Sequence, residues 1–257
     1  MNAPPDDEQP LTPADPWTAL RVHTPARIAL GRSGASLPTR EVLAFGIAHA
    51  QARDAVHAAL DVAALHRDLD GFGLPILEVR SAAATRAAYL ARPDWGRRLD
   101  ASSVEALMKC ATPPDVLFVI ADGLSAIAPQ RHAAALLAAT LPLLADLAIG
   151  PLVIATQARV ALADAVAIAL GARLVVSLIG ERPGLSAPDS LGAYVTFAPK
   201  AGTTDAERNC LSNIRPQGLG YEDAARQLAG LIRAALVEGI SGVALRFEED
   251  IALPLFS

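Results

Sequence analysis

The sequence predicts an α/β fold, a Rossmann-like and mainly parallel sheet with helices on both faces, preceded by an N-terminal helical arm. Three observations carry this. The runs DVLFVIAD (115–122) and LVVSLIG (174–180) are continuously apolar and rich in Val, Ile and Phe, as strands buried on both faces are. Segments of helical length separate such runs, which is the spacing of βαβ units. The 257 residues are 52% hydrophobic but only 4% aromatic, so the core is built from Ala, Leu, Val and Ile, in a chain long enough for one large domain or two modest ones.

Residues 1–16 are acidic, polar and Pro-rich and are expected to form a disordered tail. The tail has no basic n-region or apolar h-region, so no secretory signal is expected. A short extended stretch follows. Pro38 and Thr39 then open a long helix. Val42, Phe45, His49, Val56 and Leu60 recur along one stripe of it, and His49 reads as a core histidine. DGFG at 70–73 is a turn. Residues 17–75 make the helical arm and 76–257 the sheet domain.

Within that domain ILEVR (76–80) is a strand and SAAATRAAYL (81–90) a helix. A charged loop follows, then a short helix at 103–109 and the strand 115–122. A helix begins near Pro129, with Pro in its first turn, and Pro142 kinks or restarts it. PLVIAT (151–156) is a strand. LADAVAIALGA is a helix ended by Gly171. Residues 174–180 and 193–199 are further strands, and a last helix spans about 222–237. The residues from 198 to 221 form one long loop.

Composition removes several function classes. Mean hydropathy is +0.33, yet the most apolar stretch, Ala133 to Gly150, is broken by Thr140, Pro142 and Asp146, so no membrane span is expected. A large subunit interface accounts better for the excess apolar surface. Net charge is −5 with no long basic run, which argues against nucleic acid as the main partner. Cys110 and Cys210 are the only cysteines and form no C-x-x-C pair, as suits a cytoplasmic chain without a Cys-based zinc site. Of the 22 basic residues only Lys109 and Lys200 are lysine. Arginine favours bidentate interface contacts, although genomic base composition would give the same bias.

The sequence has no G-x-G-x-x-G after a strand, no Walker A, no G-x-S-x-G and no H-E-x-x-H. It also lacks the D-x-H-x-x-G loop by which some cobalamin proteins supply a histidine to cobalt. Ligands of open α/β sheets bind outside the carboxyl ends of the strands. Three Gly-, Pro- and Ser-rich stretches lie there, after the strands 115–122, 174–180 and 193–199. Asp122 is either a catalytic carboxylate or a cap for the turn with Gly123. With Ser125 it would be the centre of a hydrolase. Glu181 is a solvated loop charge or a ligand contact. Cys210, by itself, reads as a small buried hydrophobe.

Four segments carry a resemblance. TPARIALGRSGASLPTREVLAFGIAHAQARDAVH, PPDVLFVIADGLSA, LVVSLIGERPGLSAPDSLGAYVTFAPK and TTDAERNCLSNIRPQG, in that order, resemble the small (light) subunit family of ethanolamine ammonia-lyases. The likeness spans about Pro16 to Val237, and GERPGL and C-x-S-N-I are its most specific parts. It implies a lyase that converts ethanolamine to acetaldehyde and ammonia with adenosylcobalamin, active only with a large TIM-barrel subunit that holds the substrate. The small subunit covers the cobalamin from the other side. The cofactor keeps its own base on cobalt, in agreement with the missing D-x-H-x-x-G. Carried over by residue, the cofactor contacts are Val160, Glu181 and Cys210, with Cys210 on the long loop that would close around the cofactor. No catalytic or metal-ligating residue is implied in this chain. Members often begin with a segment linked to packaging in a bacterial microcompartment, whereas the extension here is short.

Overall fold

The computed structural model describes residues 15–107 and 113–245. The expected tail at 1–16, apart from Asp15 and Pro16, lies outside the described residues, and so do Lys109 and Cys110. The chain opens with a 3-10 turn at Pro16–Val22 and helices α1 (Thr39–His57) and α2 (Val62–Asp70). Strand β1 (Ile76–Arg80), helices α3 (Arg86–Ala91) and α4 (Ala101–Leu107), strand β2 (Val116–Ala121) and helix α5 (Ile127–Thr140) follow. Then come β3 (Ile149–Thr156), α6 (Val160–Leu170), β4 (Leu174–Gly180), β5 (Leu191–Phe197), β6 (Asn209–Ile214) and α7 (Tyr221–Glu238). Pro142 restarts the chain after α5 as a 3-10 turn, and Gly171 closes α6 at φ +66°.

The sheet order is β1-β3-β2-β4-β5-β6. The first four strands are parallel, but β5 pairs antiparallel with β4 and β6 antiparallel with β5. The sheet is therefore mixed, which corrects the mainly parallel sheet expected from the sequence. The reason is the length of the connections. A parallel return needs a crossover of about a dozen or more residues, usually helical. The segment 181–190 between β4 and β5 holds no helix, and that between β5 and β6 only a 3-10 turn at Asp205–Glu207.

The central strands alternate between two cores. Val116, Phe118 and Ile120 of β2 face a layer that contains α2, α5 and α7. Leu117, Val119 and Ala121 face a second layer that contains α4 and α6. Leu65 and Leu69 place α2 in the first layer. Helix α1 differs from all the others. Only Ala48 and Ala55 are buried in it, while Val42, Leu43, Phe45 and Ile47 are exposed. His49 is exposed as well and stacks on Phe45, so it is not the core histidine that the stripe suggested. Among the described residues no helix is long and apolar enough to cross a membrane.

Candidate functional site

The chain leaves β2 toward α5 in the first layer and leaves β3 toward α6 in the second. The two loops diverge over the carboxyl ends of adjacent strands, and such a point is where open α/β sheets take ligands. Asp122, which follows β2, is 2% exposed. It accepts hydrogen bonds from the Gln157 N–H at 2.8 Å and the Ala158 N–H at 2.9 Å, with the Arg86 guanidinium at 3.4 Å. Asp122 thus stitches the two loops together. Burial pushes its carboxyl upward and prevails over the two amides and Arg86. Ser125 is fully buried and donates to the Pro188 carbonyl at 2.7 Å, so the hydrolase pairing with Asp122 is not assembled. A Cβ on Gly123, which sits at φ +55°, would lie 2.1 Å from the Gly180 carbonyl. Only glycine lets this turn press on the end of β4.

Below the crevice lies Tyr89 of α3, fully buried. Its hydroxyl donates to the Ala158 carbonyl at 3.2 Å. The guanidinium carbons of Arg86 and Arg159 stand 4.7 and 4.4 Å from its ring centre, within cation–π range. Burial raises the phenol to about 12 against the pull of Arg159. Arg159 is wedged in place. Its N–H donates to the Gly96 carbonyl at 2.8 Å, and a Cβ on Gly96 would meet both Arg159 and the Tyr89 ring at 2.9 Å. Val160 then begins α6 with no side-chain cap. The Leu162 N–H donates to the Arg159 carbonyl at 2.9 Å, which leaves the N–H groups of Val160 and Ala161 without intrahelical partners. Arg86 Nη2, Gln157 Oε1 and Arg159 Nε are buried without a hydrogen-bond partner. Gln157 also has φ +53°. Unsatisfied atoms and strained backbone cluster where a ligand completes the bonding.

Val160 and Glu181 line one cavity of about 450 Å³, together with Tyr89, Leu124, Arg159 and Tyr194. Glu181 follows β4 and is not a free loop charge. Its carboxylate accepts from the Ser190 hydroxyl, from the Ser212 hydroxyl at 2.6 Å and from the Asn213 N–H at 3.4 Å. It therefore spans β5 to reach β6. Gly192 of β5 makes room, because a Cβ there would lie 2.9 Å from Glu181 Oε1.

Cys210 belongs to β6, opposite Tyr194 of β5, and not to an irregular loop as the sequence suggested. It is exposed, which corrects its reading as a buried hydrophobe. Desolvation against β5 raises its thiol, the Tyr194 hydroxyl pulls it back, and Glu181 adds to the rise. Tyr194 is itself raised, first by burial and then by Cys210 and Glu181. The structure thus brings Val160 and Glu181 to one cavity and sets Cys210 outside its lining, beside the Tyr194 that forms part of the wall. Sequence reasoning missed Tyr89, Arg159 and Tyr194. An arginine directly before an uncapped helix was the one signal for Arg159.

The sequence model for the ethanolamine ammonia-lyase light chain matches residues 14–246. The chain is 57% identical over 243 residues to an ethanolamine ammonia-lyase small subunit of Bradyrhizobium diazoefficiens, covering 93% of each. It is 53% identical over 264 residues to the small subunit of Ralstonia nicotianae, covering 96% of this chain and 95% of that one. The match to the Azotobacter vinelandii small subunit is 52% over 252 residues, or 96% and 93%.

Proposed function

The chain belongs to the ethanolamine ammonia-lyase light chain family, and from that premise we propose that it is the small subunit of an adenosylcobalamin-dependent lyase that converts ethanolamine to acetaldehyde and ammonia. In this reading it covers the cofactor at the interface with a large subunit. The observation that carries it is the cavity shared by Val160 and Glu181. A corrin rim bears amide side chains, each both donor and acceptor. The cavity meets them in kind, with an acceptor at Glu181 and donors at Arg182, the unpartnered Arg159 Nε and the Val160 N–H that opens α6. Pockets of this size enclose a drug-sized ligand, and a corrin is several times larger. Only its edge enters here, which supports a cofactor gripped between two chains.

Adenosylcobalamin, when bound, supplies a cobalt–carbon bond whose homolysis starts the radical chemistry. This chain's residues hold and orient the corrin and keep water from that face. Val160, Glu181 and Cys210 contact the cofactor in this reading, the first two at its amides and the exposed Cys210 beside Tyr194. The four parallel strands with helices on both faces support a Rossmann-like cradle, with β5 and β6 as an added edge. The large partner finds a surface in α1, where Val42, Leu43, Phe45 and Ile47 are exposed together. Exposed apolar patches of this kind mark interaction sites.

Co-expression with the large subunit tests the reading. Acetaldehyde release from ethanolamine is expected only when both chains and adenosylcobalamin are present. Turnover by this chain alone, or equal turnover by the large subunit alone, would overturn it.

A further inference from the structure

A second cavity, of about 780 Å³, lies on the other side of Arg159 and Val160 from the one just described. It runs between the start of α6, the loop around Arg97 and the segment 200–208. Its charge is lopsided. The two carboxylates in its wall, Asp164 and Asp205, are both taken by Arg208. Arg208 grips Asp164 with two bonds, at 2.6 and 2.7 Å. Arg98 and Lys200 have acidic neighbours in Asp94 and Glu207. Arg97 and Arg159 have no ion-pair partner among the described residues, and Arg159 Nε is buried with no hydrogen bond at all. The first turn of α6, which opens into the same space, has no acidic residue and no side-chain cap.

We infer that this cavity binds a phosphoryl anion, and specifically the phosphodiester of the nucleotide tail of the same cofactor whose corrin rests at Glu181. Three features point to this chemistry. Guanidinium groups match the planar, bidentate geometry of phosphate oxygens. Free N–H groups at a helix start add donors and a favourable dipole. The volume far exceeds an inorganic ion, so the anion is part of a larger polar ligand. Arg159 is fixed between Gly96 and Tyr89 and faces both cavities, which places the anion beside the corrin and not at a remote site. The assignment to the cofactor rests on the proposed function, whereas the anion site itself does not.

The test uses the chain co-purified with its large subunit, with Arg97→Glu as the principal variant. Arg97 is exposed and makes no ion pair in the described structure, so the variant is expected to fold and assemble. Arg159→Gln is the second variant. Adenosylcobalamin and adenosylcobinamide, which has the same corrin without phosphodiester or nucleotide, are titrated by absorbance. Inorganic phosphate is titrated separately by calorimetry. Both variants should raise the cobalamin dissociation constant about tenfold or more, as loss of a charge-assisted contact does, and Arg97→Glu, which lies outside the corrin cavity, should leave that of cobinamide unchanged. If free phosphate is the ligand, phosphate binds the unaltered complex and Arg97→Glu abolishes it, while cobalamin and cobinamide respond alike. That outcome keeps the anion site and removes its link to the cofactor. If neither corrinoid binds the unaltered complex, the proposed function fails, and the phosphate titration still decides the cavity. Unchanged cobalamin and phosphate binding in both variants overturns the inference.

Discussion

Glu181 shows how a single carboxylate can serve structure and site together. It holds Ser190, Ser212 and the Asn213 amide, yet it still borders the cavity it shares with Val160. A carboxylate has about four lone-pair sites, so acceptor capacity remains for a ligand amide. Glu181→Ala is expected to leave the two-chain complex assembled and to raise the half-saturating adenosylcobalamin concentration tenfold to a hundredfold, since a hydrogen bond to a charged group is worth roughly 1.5–3 kcal/mol. An activity titration of the cofactor-free complex reads this directly. Turnover at saturation should fall less, because the residue touches the corrin rim in this reading and not the reacting bond. That Glu181 lies at a ligand-binding strand end was legible from the buried run before it. Its reach across β5 was not, because that depends on Ser212, two strands from the end of β4 and 31 residues on in sequence, and on Gly192 of β5 leaving room between them.

At the scale of elements, β6 is held by the ion pair at its N-terminal end. Arg208 precedes the strand and is 7% exposed, and Asp164 of α6 is 5% exposed. Removing one partner of a buried pair leaves an uncompensated charge and costs about 3–5 kcal/mol. Arg208→Met is therefore expected to lower the stability of the chain by about that much in urea unfolding. The double change Arg208→Met with Asp164→Leu should recover most of it, which the double-mutant cycle isolates. Helix α4 depends on a different charge. Asp100 accepts the Ser103 N–H at 2.7 Å and pairs with Arg80. Burial works against its ionisation, but the bonds from Ser103, Arg80 and Ser102 win and bring the carboxyl down to about 2. An unfolded Asp titrates near about 3.9. The folded value is the lower one, so this contribution is full above pH about 4 and is lost as pH falls toward about 2. Thermal unfolding between those pH values should show the loss, and Asp100→Asn should flatten that part of the profile. An unchanged profile would show that Asp100 does not carry it.

The whole molecule has a well-buried α/β body and one poorly covered helix. In the body, apolar residues on β2 and β4 are buried on both faces. In α1, side chains of the same type stand exposed. If α1 is the surface for the large subunit, Leu43→Asp with Ile47→Asp should weaken co-purification of the two chains and leave the melting temperature of this chain nearly unchanged, because neither residue is buried. A fall in the chain's own stability with assembly intact would assign α1 to intramolecular packing instead. The sequence by itself determined the α/β class, the strands β1 and β4 to the residue, the helix end at Gly171 and the family, because these rest on local patterns: continuous apolar runs, helix punctuation and ordered motifs. It did not determine the direction of β5, the existence of β6, the exposure of α1 and His49, or the union of Tyr89, Arg159 and Val160 in one wall. Those were decided by tertiary structure. Strand direction follows from which edge a short connection can reach, a mostly polar edge strand such as β6 has too weak a period to announce itself, and a stripe of apolar residues looks the same whether its partner is the same chain or another.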